Sequence, residues 1–99
     1  MARPISDVTV LGAGVMGASI AAQLANAGLR VRLLDLAGDP EKKQQRRNHW
    51  AEAGLEAARK ARPAAFFAPR FEALVTTGNF DDHLEQAATV SDVIIEAVV

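Results

Sequence analysis

Three glycines and one aspartate have the types and the spacing of a dinucleotide site. The run Gly12-Ala13-Gly14-Val15-Met16-Gly17 follows an apolar segment, and Asp35 ends the next apolar segment eighteen residues after Gly17. Gly12 permits a tight turn, Gly14 leaves room for a pyrophosphate beside the backbone, and Gly17 lets a helix lie close to a sheet. The N–H groups and partial positive charge at the start of that helix favour phosphate. The pattern predicts dinucleotide binding.

The aspartate favours one kind of dinucleotide. A carboxylate at the end of the second strand accepts hydrogen bonds from the adenosine ribose and repels a 2′-phosphate. NADP sites usually place an arginine nearby, whereas Leu36-Ala37-Gly38 follows Asp35 here. The sequence therefore predicts NAD as the cofactor. A solvated acid at a strand end, or a helix cap, remains the alternative interpretation of Asp35.

Composition narrows the class of protein. Ninety-nine residues with 49% hydrophobic content form one small domain with a core of its own. A net charge of −1 predicts no nucleic-acid or membrane partner. The chain has no cysteine, and neither His49 nor His83 has a partner at metal-ligand spacing, so both are predicted surface residues and no metal site is expected. The N-terminus lacks the apolar core of a signal peptide, so a cytoplasmic location is expected.

Strand and helix patterns alternate along the chain. We predict strands at residues 7–11, 30–35, 75–77 and 92–99, and helices at 14–27, 39–61 and 81–88. Alternation of this kind indicates a parallel sheet with right-handed crossovers. The predicted fold class is α/β, a partial Rossmann-type doubly wound sheet of about four strands in the order 3-2-1-4. The cofactor is expected at the carboxyl ends of the strands.

Three further expectations concern packing. Asp39-Pro40-Glu41 has the composition of a helix start, with Asp as N-cap and Pro at the first helical position. The long helix that follows is predicted to pack through residues at three- to four-residue spacing, namely Trp50, Ala53, Gly54, Ala57 and Ala61. In the irregular stretch from Pro63 to Leu74, the predicted anchors are Phe66, Phe67 and Phe71. On the first helix, the predicted solvent face comprises Ser19, Gln23 and Asn26.

The final segment, Asp92 to Val99, has the composition of a buried parallel strand. Domains rarely end on a bare apolar strand, so residues 1–99 are expected to be the N-terminal part of a longer enzyme. In the order 3-2-1-4 this strand is an edge, and it carries no Lys, Pro or Gly that would discourage pairing. A homodimer through this strand is therefore expected. Glu96 within the strand either faces the cofactor or reaches water at the strand end.

Four stretches together resemble a known family. They are VTVLGAGVMGASIAAQLANAG at 8–28, LLDL at 33–36, LVTTGNFDD at 74–82 and DVIIEAVV at 92–99. The chain resembles the N-terminal NAD-binding domain of 3-hydroxyacyl-CoA dehydrogenases, most closely the long bacterial proteins that join this domain to further modules. The GAGVMG motif is shared with many dehydrogenases, whereas the pairing of TTGNF with EAVV is more specific.

The resemblance implies NAD-linked oxidation of the 3-hydroxyl of a fatty acyl-CoA in β-oxidation. It implies that Gly12 to Gly17 hold the pyrophosphate with Met16 under the cofactor, that Asp35 takes the ribose, and that the nicotinamide side is lined by Ala97, Val98 and Val99. The catalytic His–Glu pair of the family comes after these residues. No catalytic residue is therefore assigned, and the chain alone is expected to bind cofactor without turning over substrate.

A basic segment admits two interpretations. Seven of the eleven basic residues fall between Lys42 and Arg62. They form either a patch for coenzyme A phosphates, carried by Arg59, Lys60 and Arg62, or a solvated helix face with interleaved glutamates. The resemblance favours acyl-CoA. Two alternatives to the dehydrogenase remain: another NAD-dependent 3-hydroxyacid-type dehydrogenase, and a non-catalytic nucleotide-binding module.

Overall fold

Four parallel strands form a single sheet in the order β3-β2-β1-β4. The computed structural model describes residues 4–43 and 45–97. In chain order the elements are β1 (Asp7–Leu11), α1 (Val15–Asn26), β2 (Arg30–Asp35), α2 (His49–Arg59), α3 (Pro69–Glu72), β3 (Val75–Asn79), α4 (Phe80–Val90) and β4 (Val93–Glu96). The predicted α/β class and the order 3-2-1-4 are confirmed.

The core lies around the two central strands. Val10 of β1 is opposite Leu33 of β2 and Ile95 of β4, and both Val10 and Leu33 are fully buried. Helix α1 adds small side chains to this core, namely Ala18, Ala21, Ala22 and Ala25. Small residues let α1 approach the sheet closely, which brings its start to the carboxyl end of β1. Gly28 ends α1 with a φ of +90°, as expected for the residue after a helix.

The predicted helix over 39–61 is wrong in its first half, because α2 begins only at His49. The Asp39 side chain accepts from the N–H of Glu41, and the Gln45 side chain accepts from the N–H of Asp39. The N–H of Gly38 donates to the Arg47 carbonyl at 3.0 Å, so the segment folds back on itself. Local side-chain hydrogen bonds of this kind compete with a helix, and here they win.

Two packing predictions also need correction. Phe66 is buried, but Phe67 is 73% exposed and does not anchor its segment. Asn26, which was predicted to face solvent, anchors the segment instead. Its side chain donates to the Ala65 carbonyl and accepts from the N–H of Phe67. On α2 the buried residues are Ala51, Gly54 and Ala58, so only Gly54 of the predicted packing face is buried.

The ends of the later elements differ from the prediction. Strand β3 includes Gly78 and Asn79, which were expected to close it, and α4 extends to Val90. His83 is a part-buried residue rather than a surface one, because its Nδ1 accepts from the N–H of Asn79 at 3.0 Å. Within the described part of the predicted strand 92–99, β4 covers Val93–Glu96, and Glu96 at its end is exposed.

Within residues 4–43 and 45–97 there is neither a metal-binding cluster nor a membrane-spanning helix. No cluster of three or more His, Cys, Asp or Glu side chains could hold a metal ion. No helix in these ranges combines the length and the apolar character needed to cross a membrane.

Candidate dinucleotide-binding site

The glycine-rich loop turns sharply as it leaves β1. Gly12 has a φ of +106°, a left-handed conformation that a residue with a side chain adopts only with strain. Its N–H donates to the Leu34 carbonyl at 2.7 Å, which ties the loop to the end of β2. The turn therefore places the next residues between the ends of two neighbouring strands.

The first turn of α1 lies directly on this loop. A Cβ added to Gly17 would lie 1.7 Å from the Gly12 carbonyl oxygen and 3.4 Å from the Cβ of Ala97. No side chain fits at the first of these distances. Gly17 is therefore required by the close approach of the helix to the loop and to the chain after β4, as the motif predicts.

The start of α1 is open. A Cβ added to Gly14 would meet no atom of the described residues within 4 Å, and Val15 and Met16 are 93% and 67% exposed. Gly14 is the N-cap residue of α1. No described side chain caps this end of the helix, and the first turn contains no acidic residue. Helix N–H groups and a partial positive charge thus face an accessible space, which fits the pyrophosphate of a dinucleotide.

Asp35 lies against the same loop. Its Oδ2 accepts from the N–H of Ala13 at 2.7 Å, and its Oδ1 accepts from the N–H of Leu36 at 2.7 Å. Each carboxylate oxygen can accept a further hydrogen bond. The carboxylate is therefore oriented by the backbone, and it is close enough to the start of α1 to take ribose hydroxyls of the same ligand.

Helix α2 forms a wall beside the loop, which the sequence analysis missed. A Cβ added to Gly54 would lie 2.2 Å from the Ala13 carbonyl oxygen and 2.8 Å from the Ala13 Cβ. A glycine in the middle of a helix costs about 1 kcal/mol relative to alanine. That unfavourable residue was the signal that something packs against α2 at this point.

Between α1 and α2 is a cavity of about 660 Å³. This volume is in the range of small-molecule sites. The glycine-rich loop and Asp35 line one end of the cavity. The face of α2 that was predicted to pack into the core lines the side of this cavity instead. Its lining residues are Ala13, Gly14, Val15, Ala18, Ser19, Gln23, Asp35, Trp50, Ala53, Gly54, Ala57, Ala58, Ala61, Pro63, Ala64 and Ala65.

A polar cluster holds the start of α2. The fully buried side chain of Asn79 donates to the Oδ1 of Asn48 at 2.7 Å and to Asp82 at 3.0 Å. Arg47 donates to both carboxylate oxygens of Asp82, at 2.6 and 3.0 Å. The Arg47 guanidinium lowers the pKa of Asp82 from 3.8 to about 2, with a further contribution from Asn79. The carboxylate therefore stays charged above that pH and keeps α2 attached to β3 and α4.

The structure brings most of the predicted cofactor residues together. The loop Gly12–Gly17 and Asp35 are in direct contact, and Ala97 lies beside Gly17 with its N–H donating to the Leu11 carbonyl. Val98 and Val99 lie outside the described residues. The individual roles of these residues in cofactor binding stay predictions.

The three predicted coenzyme A residues differ in their surroundings. Arg59 pairs with Glu72 at 3.0 Å and with Glu56 at 3.2 Å, and Lys60 pairs with Glu56 at 3.3 Å. Arg62 donates to the Ala61 carbonyl and forms no ion pair with any described residue. Arg62 is therefore the cation of this group that is most available to a phosphate.

A parallel sheet with a glycine loop, an open helix start and an acid at the next strand end defines a dinucleotide-binding α/β domain. The family model described as "3-hydroxyacyl-CoA dehydrogenase, NAD binding domain" matches residues 7–99. The chain belongs to this family, whose cofactor is NAD.

Similar proteins carry related names. A probable 3-hydroxyacyl-CoA dehydrogenase of Deinococcus radiodurans is 50% identical over 95 residues, which are 96% of this chain and 26% of that protein. A probable 3-hydroxyacyl-CoA dehydrogenase of Bacillus subtilis is 36% identical over 110 aligned residues, covering 100% of this chain and 14% of that protein. The chain thus spans about a quarter or less of the length of these relatives.

Solved structures agree on the fold. A diketoreductase structure superimposes with a TM-score of 0.69 at 27% identity, covering 98% of this chain and 33% of that one. FadB2 of Mycobacterium tuberculosis gives a TM-score of 0.63 at 25% identity, covering 98% and 32%.

Replacing Asp35 with Ala is expected to weaken NAD binding by about 1.5–3 kcal/mol, the range for a hydrogen bond to a charged group. The substitution removes the acceptor next to Ala13 without touching the open start of α1. Titration calorimetry of both proteins measures the difference. Asp39→Ala, which alters a carboxylate that accepts from the N–H of Glu41 alone among the described residues, is the matched control and should bind NAD as the parent does. If the Asp35 variant bound NAD as tightly as the parent chain, the role assigned to this carboxylate would be wrong.

Proposed function

We propose that this chain holds NAD for a 3-hydroxyacyl-CoA dehydrogenase that oxidises 3-hydroxyacyl-CoA to 3-ketoacyl-CoA in fatty acid β-oxidation. The observation that carries the proposal is the contact between Asp35 and Ala13 beside the open start of α1. A helix N-terminus for phosphates and a carboxylate for a ribose, joined in one loop, are the two contacts that a dinucleotide needs. Membership of the family supports the same assignment.

Each part of the loop has a separate task in this proposal. The backbone at Gly14, Val15 and Met16 holds the pyrophosphate, with Met16 under the cofactor, and Asp35 accepts from the adenosine ribose. Ala97, with Val98 and Val99 after it, lines the nicotinamide side. Bound NAD would accept the hydride from the 3-hydroxyl carbon of the substrate. The chain's own contribution is to bind and orient NAD, and we assign no catalytic residue to it.

The basic residues at the end of α2 are proposed to contact the phosphates of coenzyme A. Arg62 has no carboxylate partner among the described residues, and its neighbours Ala61 and Pro63 line the cavity. Arg59 and Lys60 would first have to share or release their glutamates. We therefore expect Arg62 to make the largest contribution of the three.

Parallel measurements test the proposed function. Calorimetry of the chain with NAD and with acetoacetyl-CoA, together with an assay of NADH oxidation in the presence of acetoacetyl-CoA, separates binding from turnover. We expect NAD binding without turnover, because 74% and 86% of the length of the two relatives lies outside the matched region. Turnover by the pure chain would contradict the assignment of no catalytic residue. Absence of NAD binding would contradict the proposal as a whole.

A homodimer through β4 is also proposed, with a second copy of this chain as the partner. Strand β4 is at one end of the sheet order and, within residues 4–43 and 45–97, pairs with β1 alone. Val93 and Ile94 are 36% and 43% exposed, and neither Lys nor Pro interrupts the strand. Exposed edges of this composition favour strand pairing.

Sedimentation at concentrations from micromolar to millimolar should show a dimer that Ile94→Lys converts to a monomer. A lysine on the edge opposes pairing because two like charges would meet. Leu84→Lys, at an apolar residue of similar exposure on α4, is the matched control and should leave the dimer intact. A monomer at every concentration would overturn this contact.

A cytoplasmic location belongs to the same proposal. The absence of cysteine fits a reducing compartment. Fractionation of cells that express the full-length protein, followed by detection of this domain, tests the location. Recovery in the membrane pellet or the extracellular fraction would contradict it.

A further inference from the structure

The wall formed by α2 carries one aromatic residue beside the candidate cofactor site. Trp50 lines the same cavity as Asp35, Ala13 and Gly14, and it is 44% exposed. The Trp50 and His49 rings form a T-shaped pair, with the ring centroids 4.8 Å apart and the planes at 84°. The ring is thus supported by the protein and remains partly free for a ligand.

The contact at Gly54 locates Trp50 relative to the loop. Gly54 packs on the carbonyl of Ala13, and Trp50 is four residues earlier on the same face of α2. Four residues of helix rise about 6 Å, so Trp50 lies about one turn from the glycine-rich loop. Ala13 also donates its N–H to the Asp35 carboxylate. Ala13 therefore contacts both Asp35 and the helix that carries Trp50.

The position of the wall indicates which end of the dinucleotide it would meet. Helix α2 packs against β2 and β3, whereas β4, with Ala97 after it, lies on the other side of β1. The nicotinamide end is assigned to the Ala97 side, and the adenosine end is assigned to Asp35 at the end of β2. Trp50 is therefore on the adenosine side.

The wall is also held in place before any ligand binds. Asn48, two residues before Trp50, accepts from the fully buried Asn79, and Arg47 is paired with Asp82. A fixed aromatic surface loses little conformational freedom when it stacks on a ligand, so more of the contact energy is retained.

From these contacts we infer that Trp50 stacks on the adenine ring of the dinucleotide whose ribose is held by Asp35. The inference rests on the proposed NAD function and extends it, because it assigns recognition of the base to α2. Every nucleobase has a π-face, and aromatic side chains stack on it favourably.

Fluorescence of the unmodified chain is the first test, because Trp50 is its only tryptophan. ADP-ribose has the adenosine half of the cofactor and no nicotinamide. We expect it to quench the tryptophan emission, with a titration midpoint that agrees with the affinity measured by calorimetry. Nicotinamide mononucleotide, which has no adenine, should leave the emission unchanged. Calorimetric binding of ADP-ribose with unchanged emission would overturn the inference.

Affinity measurements on variants are the second test. Trp50→Ala should weaken ADP-ribose binding about tenfold, whereas Trp50→Phe, which keeps an aromatic ring, should stay within about threefold of the parent. Phe67→Ala removes an exposed aromatic residue that does not line the cavity, and it should have no effect. Equal affinities for the two Trp50 variants would overturn the inference. If Trp50→Ala does not fold, the fluorescence titration alone decides.

Different results would contradict the stacking of Trp50 and the binding of NAD. If the parent chain binds NAD and ADP-ribose while Trp50 responds in neither test, the stacking inference is wrong and the proposed function stands. If the parent binds neither ligand, the proposed function is wrong and the inference with it.

Discussion

Gly17→Val is expected to prevent stable folding of the chain, with a loss of at least about 3 kcal/mol in the free energy of unfolding. The first side-chain atom alone would lie 1.7 Å from the Gly12 carbonyl oxygen. This neighbour is backbone, and its position is tied to β2 through the Gly12 N–H, so the clash has no inexpensive relief. Thermal melts followed by circular dichroism measure the loss.

The matched control for this result is the same substitution three residues earlier. A Cβ added to Gly14 meets no described atom within 4 Å, and the residue has a φ of −68°, so a valine there lacks the backbone clash that Gly17 would meet. If Gly17→Val melted at the temperature of the parent, the close packing of α1 on the loop would be wrong.

Gly14→Val is expected to abolish cofactor binding while the fold persists. The valine side chain would project into the space beside the open start of α1, which the proposal assigns to the pyrophosphate. We expect a loss of at least about a hundredfold in NAD affinity, or about 2.7 kcal/mol. The cost in stability should be about 1 kcal/mol, since glycine is a better N-cap than a β-branched residue.

Calorimetry with NAD and a thermal melt of the same sample separate the two effects. NAD affinity close to that of the parent in this variant would show that the ligand does not approach Gly14. The Gln86→Val variant, altered at an exposed position of α4 that does not line the cavity, controls for a general effect of valine in a helix.

The sequence was sufficient to predict the sheet, because the residue patterns that mark its strands are local and agree with one another. The bounds of β1 and β2 were predicted correctly, and the order followed from alternation and crossover handedness. The loop geometry could also be predicted, since a tight turn at Gly12 and a close approach at Gly17 are what their spacing requires.

The errors in the predicted helix bounds and in the predicted solvent face came from side chains that form hydrogen bonds with neighbouring or distant backbone groups. Asp39 has the composition of a helix cap, yet its hydrogen bond to Glu41 forms a turn that stops the helix. Asn26 fits a solvent-facing position on α1, but it binds the backbone at Ala65 and Phe67, 39 and 41 residues away. Helical periodicity contains no information about such long-range partners.

The wall at α2 was missed for a related reason. Periodicity predicted a packing face that includes Trp50 and Ala57, and the structure places these residues along a cavity. Spacing identifies which residues share a helix face, but not whether protein or a ligand covers that face. Gly54 was the distinguishing residue, since its contact with Ala13 sets α2 beside the loop.

Calorimetry of the unmodified chain with NAD and with NADP tests the central claim most directly. Asp35 and the start of α1 together should bind NAD, and the carboxylate should repel the 2′-phosphate of NADP. We expect a measurable affinity for NAD and an affinity for NADP that is at least about tenfold weaker. Equal affinity for the two cofactors, or no binding of NAD, would contradict it.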